Sequence, residues 1–183
     1  MKKEIYSSIC SQVYSTLKEG EGLTIYMEGE NSQYFRFNDS KIRQTGIIED
    51  YKVTLSLYHG KKSLQATTTV SSDIDYSVNN LISEINSLRE PLSLIPDNNF
   101  TVFPIKFDSL DMHRKGDLPK REEILDSLMD VINKDKLTGV WTSGKIFRAS
   151  SSSKGTSHWF EKDSFIFDFS LIDAKENMVK ILY

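Results

Sequence analysis

This chain has one cysteine, three histidines and four prolines in 183 residues, and each scarcity excludes something. Cys10 has no second cysteine to pair with, so no internal disulfide supports the fold, as expected in a reducing compartment. His59, His113 and His158 stand too far apart to form a His-x-x-x-His metal pair on one helix. No stretch approaches the roughly 18 consecutive apolar residues of a membrane span. The opening MKKEIYSSICSQVYSTLKEG also lacks the apolar core and cleavage site of a signal peptide. A net charge of −3 and a pI near 5.7 leave no excess of lysine and arginine to neutralise phosphates. The expectation is a cytoplasmic protein without membrane contact and without direct nucleic-acid contact.

At this length one domain over 1–183 can bury about 70% of the unfolded chain's surface, so it needs no staples. Ile5, Ile9, Val13 and Leu17 recur at helical spacing over about residues 3–18, and Gly20 suits the left-handed position after a helix end. Cys10 falls on the apolar side of that helix and is expected as a small buried hydrophobe. Leu23, Ile25 and Met27 alternate with polar residues, which is strand periodicity. A second helix over about 73–90 opens at Ser72 or Asp73 and is expected to end at Pro91.

All four prolines lie in 91–119, a long connection whose Phe100, Val102, Phe103, Ile105 and Phe107 argue for a packed excursion with one short strand. Asp117 and Pro119 open a third helix, with Ile124, Leu125, Leu128, Met129, Val131 and Ile132 as its apolar stripe up to about Lys134. Phe165, Phe167, Phe169 and Leu171 then share one face of a strand and are expected in the core. The turn Asp173 to Asn177 returns the chain to a strand from Met178 to about Leu182. The fold class expected is α+β: a largely antiparallel sheet with two or three helices on one face.

The two ends of the chain echo each other. A helix, Leu23-Thr24, the turn at Asn38-Asp39-Ser40-Lys41 and Glu49-Asp50 are matched by a helix, Leu137-Thr138, the turn at Ser152-Ser153-Lys154-Gly155 and Glu161-Lys162-Asp163. The offset is 114 at the start and 112 at the end. An internal repeat explains this, and so does a chance parallel between two helix-then-meander units.

Catalytic constellations are sparse. Ser151-x-x-Lys154 has the spacing of a serine nucleophile and its lysine, but Ser15-x-x-Lys18 has it too. Serines between strands are also explained by turn chemistry. His158 and Glu161 would point to opposite faces of a strand. His113-Arg114-Lys115 reads as a solvated charge run. Gly144-Lys145 lacks the glycine and hydroxyl residue of a phosphate loop. Arg36, Arg43 and Gln44, beside a strand turn, are the candidates for holding a peptide backbone or carboxylate, against a plainer role in cross-strand pairing.

One signature stands out. YFRFNDSKIRQTG from Tyr34 to Gly46 continues through the alternating Val53, Leu55 and Leu57 to a hairpin ending at Ala66-Thr67-Thr68, and packs three or four short strands into about 35 residues. A second motif, at Gly139 to Gly155, ends in Ser152-Ser153-Lys154-Gly155. These residues resemble the amino-terminal domain of the TldD/PmbA family, zinc peptidases also called modulators of DNA gyrase. That family usually has Asn where Ser152 stands. The resemblance implies that Asn38, Asp39, Ser152, Ser153 and Gly155 are structural turn residues. It also implies that zinc belongs to a full-length member, whose His-Glu-x-x-x-His motif lies beyond the first domain and is absent here. This chain is then a non-catalytic domain, inactive alone, which assists dimer assembly and the access of unfolded peptide to a zinc site it does not hold. Its partners would be an unfolded peptide or a companion chain, in a homodimer or heterodimer. The alternative is a stand-alone interaction module binding a protein or peptide through a sheet edge. A final strand with no polar tail further leads us to expect that the chain was cut at a domain boundary.

Overall fold

The computed structural model describes residues 1–132, 136–173, 175 and 177–182, without the side chains of Arg121 and residues 128–132. The elements are α1 (Lys3–Tyr14), β1 (Glu21–Asn38), β2 (Lys41–His59), β3 (Lys62–Thr69), α2 (Ile74–Leu94), β4 (Leu110–Arg114), α3 (Arg121–Ile132), β5 (Lys136–Ser152), β6 (Ser157–Ile172) and β7 (Met178–Leu182). The architecture is α+β with a mostly antiparallel sheet. Its strand order is β3-β2-β1-β5-β6-β4, and β7 pairs with β6. The short strands expected around the signature are two long ones, of 18 and 19 residues, plus β3.

Chain segments group into two compact units. The first comprises Met1–Gly29, Asp50–His113 and Phe147–Glu161. Its core places Tyr6, Ile9, Cys10 and Val13 of α1 and Val78, Leu81, Ile85, Leu88 and Leu92 of α2 against Leu23, Ile25, Met27, Val53, Leu55, Leu57, Phe147 and Trp159. The helical and strand periodicities of the sequence meet there. Asp73 caps α2, its carboxylate accepting the Tyr76 N–H at 3.0 Å. The other helix ends differ from expectation. Pro91 does not stop α2, which runs to Leu94, and its carbonyl accepts the Ile95 N–H. Burial of Leu88 and Leu92 on either side holds that last turn despite the missing donor. α1 ends at Tyr14, and Gly20, with φ of 79°, serves the turn into β1 instead of a helix end.

The connection after α2 is less packed than its composition suggests. β4 is the one short strand described there, and Phe103 packs edge-on against Tyr58 at 4.9 Å. Phe107 exchanges backbone bonds with Thr156 Oγ1, yet Phe100, Val102, Ile105 and Phe107 remain exposed.

Cys10 is buried as expected, and burial pushes its thiol up to about 11. Tyr6 donates to the Ile25 carbonyl at 2.9 Å, the hydroxyls of Tyr14 and Ser151 lie 2.6 Å apart, and Ser151 donates to Cys10 Sγ at 3.3 Å. Ser151 is therefore a buried joint, while Lys154 is exposed and sits over the Phe103 ring. The pair makes no nucleophilic dyad. A disulfide-exchange reagent at pH 8 should leave Cys10 unmodified in the folded chain and label it fully in urea, because the thiolate is the reactive form. Rapid labelling without denaturant would show that α1 does not seal the thiol.

The second unit comprises Glu30–Glu49, Arg114–Ile146 and Lys162–Tyr183. Phe35, Phe37, Leu137 and Trp141 form its centre, with Phe35 and Trp141 stacked at 5.2 Å. Ile124 and Leu125 of α3 pack on it, while the side chains of Leu128, Met129, Val131 and Ile132 and the whole of Lys134 lie outside the described residues. Phe167 and Phe169 are only half-buried and Phe165 is 39% exposed, so this face is less enclosed than expected. Of the described helices, α3 alone covers it. Asp173 accepts the N–H groups of Lys175 and Asn177 and starts the turn into β7, whose Leu182 pairs with Asp168.

Candidate functional site

The β1–β2 hairpin closes through Asp39 and Ser40, both at positive φ (50° and 57°), a two-residue turn that Asn and Asp chemistry favours. Such a turn pairs odd-numbered residues with even ones. Yet the buried apolar residues of both strands in the first unit are odd-numbered, from Leu23 to Met27 and from Tyr51 to Leu57. One strand therefore carries an extra residue, a bulge, between the turn and that core. The turn itself is anchored. The Ser40 N–H donates to the Leu137 carbonyl at 2.9 Å, the Leu137 N–H donates to Ser40 Oγ at 3.0 Å, and Thr138 Oγ1 donates to Asn38 Oδ1 at 3.3 Å.

β3 pairs with β2 only from Lys52 to His59. Among the described residues, no strand pairs with residues 41–48 on the side away from β1. This leaves an open edge with outward N–H and C=O groups able to accept another strand. Ile42 and Ile47 are exposed along it, Ile47 at 77%. A recess of about 410 Å3 adjoins Ile47 and is lined by Asn31, Gln33, Leu118, Pro119 and Ser143. An added strand gains affinity from backbone bonds and specificity from such recesses.

Arg43 and Gln44 lie on this edge, and Arg36 on the neighbouring strand near the same turn; all three are exposed. Lys41 adds a third cation at the hairpin end. Ile47 and the recess were not anticipated from sequence. The signal that could have found them was the mismatch between a 19-residue β2 and a β3 of 8 residues, bounded by the Ser71-Ser72-Asp73 cap.

The second motif turn belongs to the other unit and is built the same way. The Ser153 N–H donates to the Leu23 carbonyl at 2.9 Å, and the Leu23 N–H donates to Ser153 Oγ at 3.2 Å. Ser152 is buried and Gly155 takes φ of 92°, a value its lack of Cβ permits.

His113 is more than a solvated charge. Its Nε2 lies 2.8 Å from Asp111 and its Nδ1 3.1 Å from Glu161, which also accepts the Trp159 indole N–H. Glu161 foremost, with Asp111, raises the imidazole pKa above its ordinary value. Both carboxylates face His113, whereas His158 does not join them, so the cluster ties β4 to β6. No helix among the described residues is long and apolar enough to cross a membrane.

Neither a protein-family model nor a curated protein sequence matches this chain. Solved structures do. A protein described as a modulator of a DNA gyrase from Thermotoga maritima matches with a TM-score of 0.65 and 10% identity, over 97% of this chain and 42% of that one. TldE from Thermococcus kodakarensis matches with a TM-score of 0.63 and 8% identity, over 98% of this chain and 42% of that one. A modulator-of-DNA-gyrase protein from Bacteroides thetaiotaomicron gives 0.56 and 12%, over 99% and 44%. At these identities the likeness is one of fold, and this chain spans less than half the length of each. The fold is that of TldD/PmbA structures, the group to which the signature residues point.

Proposed function

We propose that this chain is a non-catalytic domain of the TldD/PmbA type that receives an extended, unfolded peptide on the open edge of β2. The observation that carries this reading is the open edge at residues 41–48 with a recess beside it. Arg36, Arg43 and Gln44 then contact the peptide backbone or its carboxylates. Hydrolysis and zinc are assigned to a part of a full-length protein that these residues do not supply. A companion chain, in a homodimer or heterodimer, would use the same strand addition, which also covers the alternative of a stand-alone interaction module. In a cytoplasmic setting the ligand would be an unfolded protein segment.

A nine-residue peptide of alternating apolar and polar residues, titrated into the isotope-labelled chain, should shift the amides of residues 42–48 and slow their hydrogen exchange. Shifts confined to other strands, or none at millimolar peptide, would remove the edge from consideration.

We also read the two halves as diverged copies, with α3, β5, β6 and β7 answering to α1, β1, β2 and β3. Supporting this are the reciprocal bonds of Ser40 with Leu137 and of Ser153 with Leu23, related by offsets of 113 and 114. Equivalent serines should matter equally. Ser40→Ala and Ser153→Ala are each expected to cost about 1 kcal/mol, measured by urea denaturation. A neutral result for one beside a full loss for the other would speak against the repeat.

A further inference from the structure

We propose that the apolar groove beside α3 seats an amphipathic helix with a basic polar face, supplied by a partner polypeptide. The inference rests on the repeat reading above.

In the first unit, β2 presents Val53, Leu55 and Leu57, each at most 1% exposed. Two helices cover them: α1 and α2 pack together, and α2 also packs on β3, where Leu64 and Ala66 join the core. At the offset of 112 that relates the end of the repeat, their counterparts on β6 are Phe165, Phe167 and Phe169. These residues are exposed or half-buried, and the strand answering to β3, β7, has Met178, Val179, Ile181 and Leu182 all exposed. α3 answers to α1. No described element answers to α2.

Where that second helix would lie there is a groove of about 640 Å3, lined by Trp141, Phe165, Phe167, Phe169, Ile124 and Ile181. An apolar face of this breadth, left open beside a helix, suits the helix-in-groove mode, in which side chains at i, i+4 and i+7 fill the trough. The α2 of the first unit shows the pattern needed: Val78, Leu81, Ile85, Leu88 and Leu92 are its buried apolar residues.

Charge selects among such helices. Glu123 lines the groove with Ser127, its carboxylate accepting the Lys120 N–H at 3.1 Å, and Asp126 follows one turn on; both carboxylates are exposed. A helix lying along α3 places its polar flank beside Glu123 and Asp126, so lysine or arginine there is favoured and glutamate repelled.

The test uses two synthetic 18-residue helices with identical leucine faces, one with lysine and one with glutamate on the polar face, titrated into the labelled full chain. The lysine helix is expected to shift the resonances of Trp141, Phe165, Phe167 and Ile181 and to bind about tenfold more tightly at low salt, the difference shrinking as salt screens it. Ile181→Glu, at a position already 42% exposed, should abolish binding while leaving the circular dichroism spectrum unchanged. Dodecanoate serves as a small apolar competitor. Equal affinity for both helices, shifts confined to residues 42–48, or a groove that responds to dodecanoate and to neither helix would overturn the proposal. Failure of the repeat reading is read separately, from the Ser40 and Ser153 variants, which leave the groove intact.

Discussion

Trp159→Ala is expected to lower the free energy of unfolding by about 4 kcal/mol, a large share of the 5–15 kcal/mol typical of a domain. Trp159 is 2% exposed and its ring meets Tyr6 at 5.9 Å and Phe147 at 5.8 Å, so truncation removes aromatic contact from both sides. It also deletes the indole donor to Glu161. The rings around it belong to α1 and β5, which cannot both close the gap without unseating other core residues. Urea denaturation followed by circular dichroism measures the loss, and a cost below about 1.5 kcal/mol would mean that the core around Tyr6 collapses freely. With Trp159 gone, Trp141 is the remaining tryptophan, so its fluorescence reports on the second unit alone. Coincident transitions by both probes would show that the two units unfold together.

Arg89→Ala should cost about 3 kcal/mol near neutral pH, mainly because the substitution leaves the buried Glu21 carboxylate without its counter-ion. Glu21 is 6% exposed at its side chain and Arg89 is 17% exposed. Arg89 Nε and Nη2 donate to the two carboxylate oxygens at 2.9 and 2.8 Å, and Nη2 also donates to the Thr16 carbonyl. The Arg89 hydrogen bonds hold the Glu21 carboxyl below its usual range, against the opposing pull of burial. A carboxylate with a lowered folded pKa contributes stability that is present above the unfolded value, near 4.3, and lost as pH falls through the folded value. Without Arg89, burial opposes the ionised form and only Lys18, whose N–H donates to the Glu21 carboxylate at 2.8 Å, still favours it. The gap between the native chain and the variant should thus be widest at pH 6–7 and narrow below about pH 4. A gap independent of pH would mean that packing of the arginine stem, and not the ion pair, accounts for the loss.

Local pattern carries far in this chain where one face of an element is buried and the other is wet. The alternation of Leu23, Ile25 and Met27 and of Val53, Leu55 and Leu57, the helical recurrence from Ile5 to Val13, and the Asp73 cap are visible in the sequence because each encodes a two-sided environment. The turn at residues 38–41 is legible for a similar reason, since Asp39 takes the left-handed conformation its side chain favours. Even the low-identity fold relationship was marked by these turns and their flanking strands.

What neighbours decide is not written locally. Pro91 reads as a stop, but burial of Leu88 and Leu92 carries α2 one turn further. Phe165, Phe167 and Phe169 alternate as perfectly as Val53, Leu55 and Leu57, yet two helices cover the latter residues and, of the described helices, α3 alone lies over the phenylalanines. Periodicity specifies which side of a strand is apolar and carries no information about what covers that side. The open edge of β2 is likewise invisible in its own residues, because whether a strand's outer N–H and C=O groups are satisfied depends on the length of its partner. β3 stops where the α2 cap begins, and that distant boundary is what leaves residues 41–48 at an open edge.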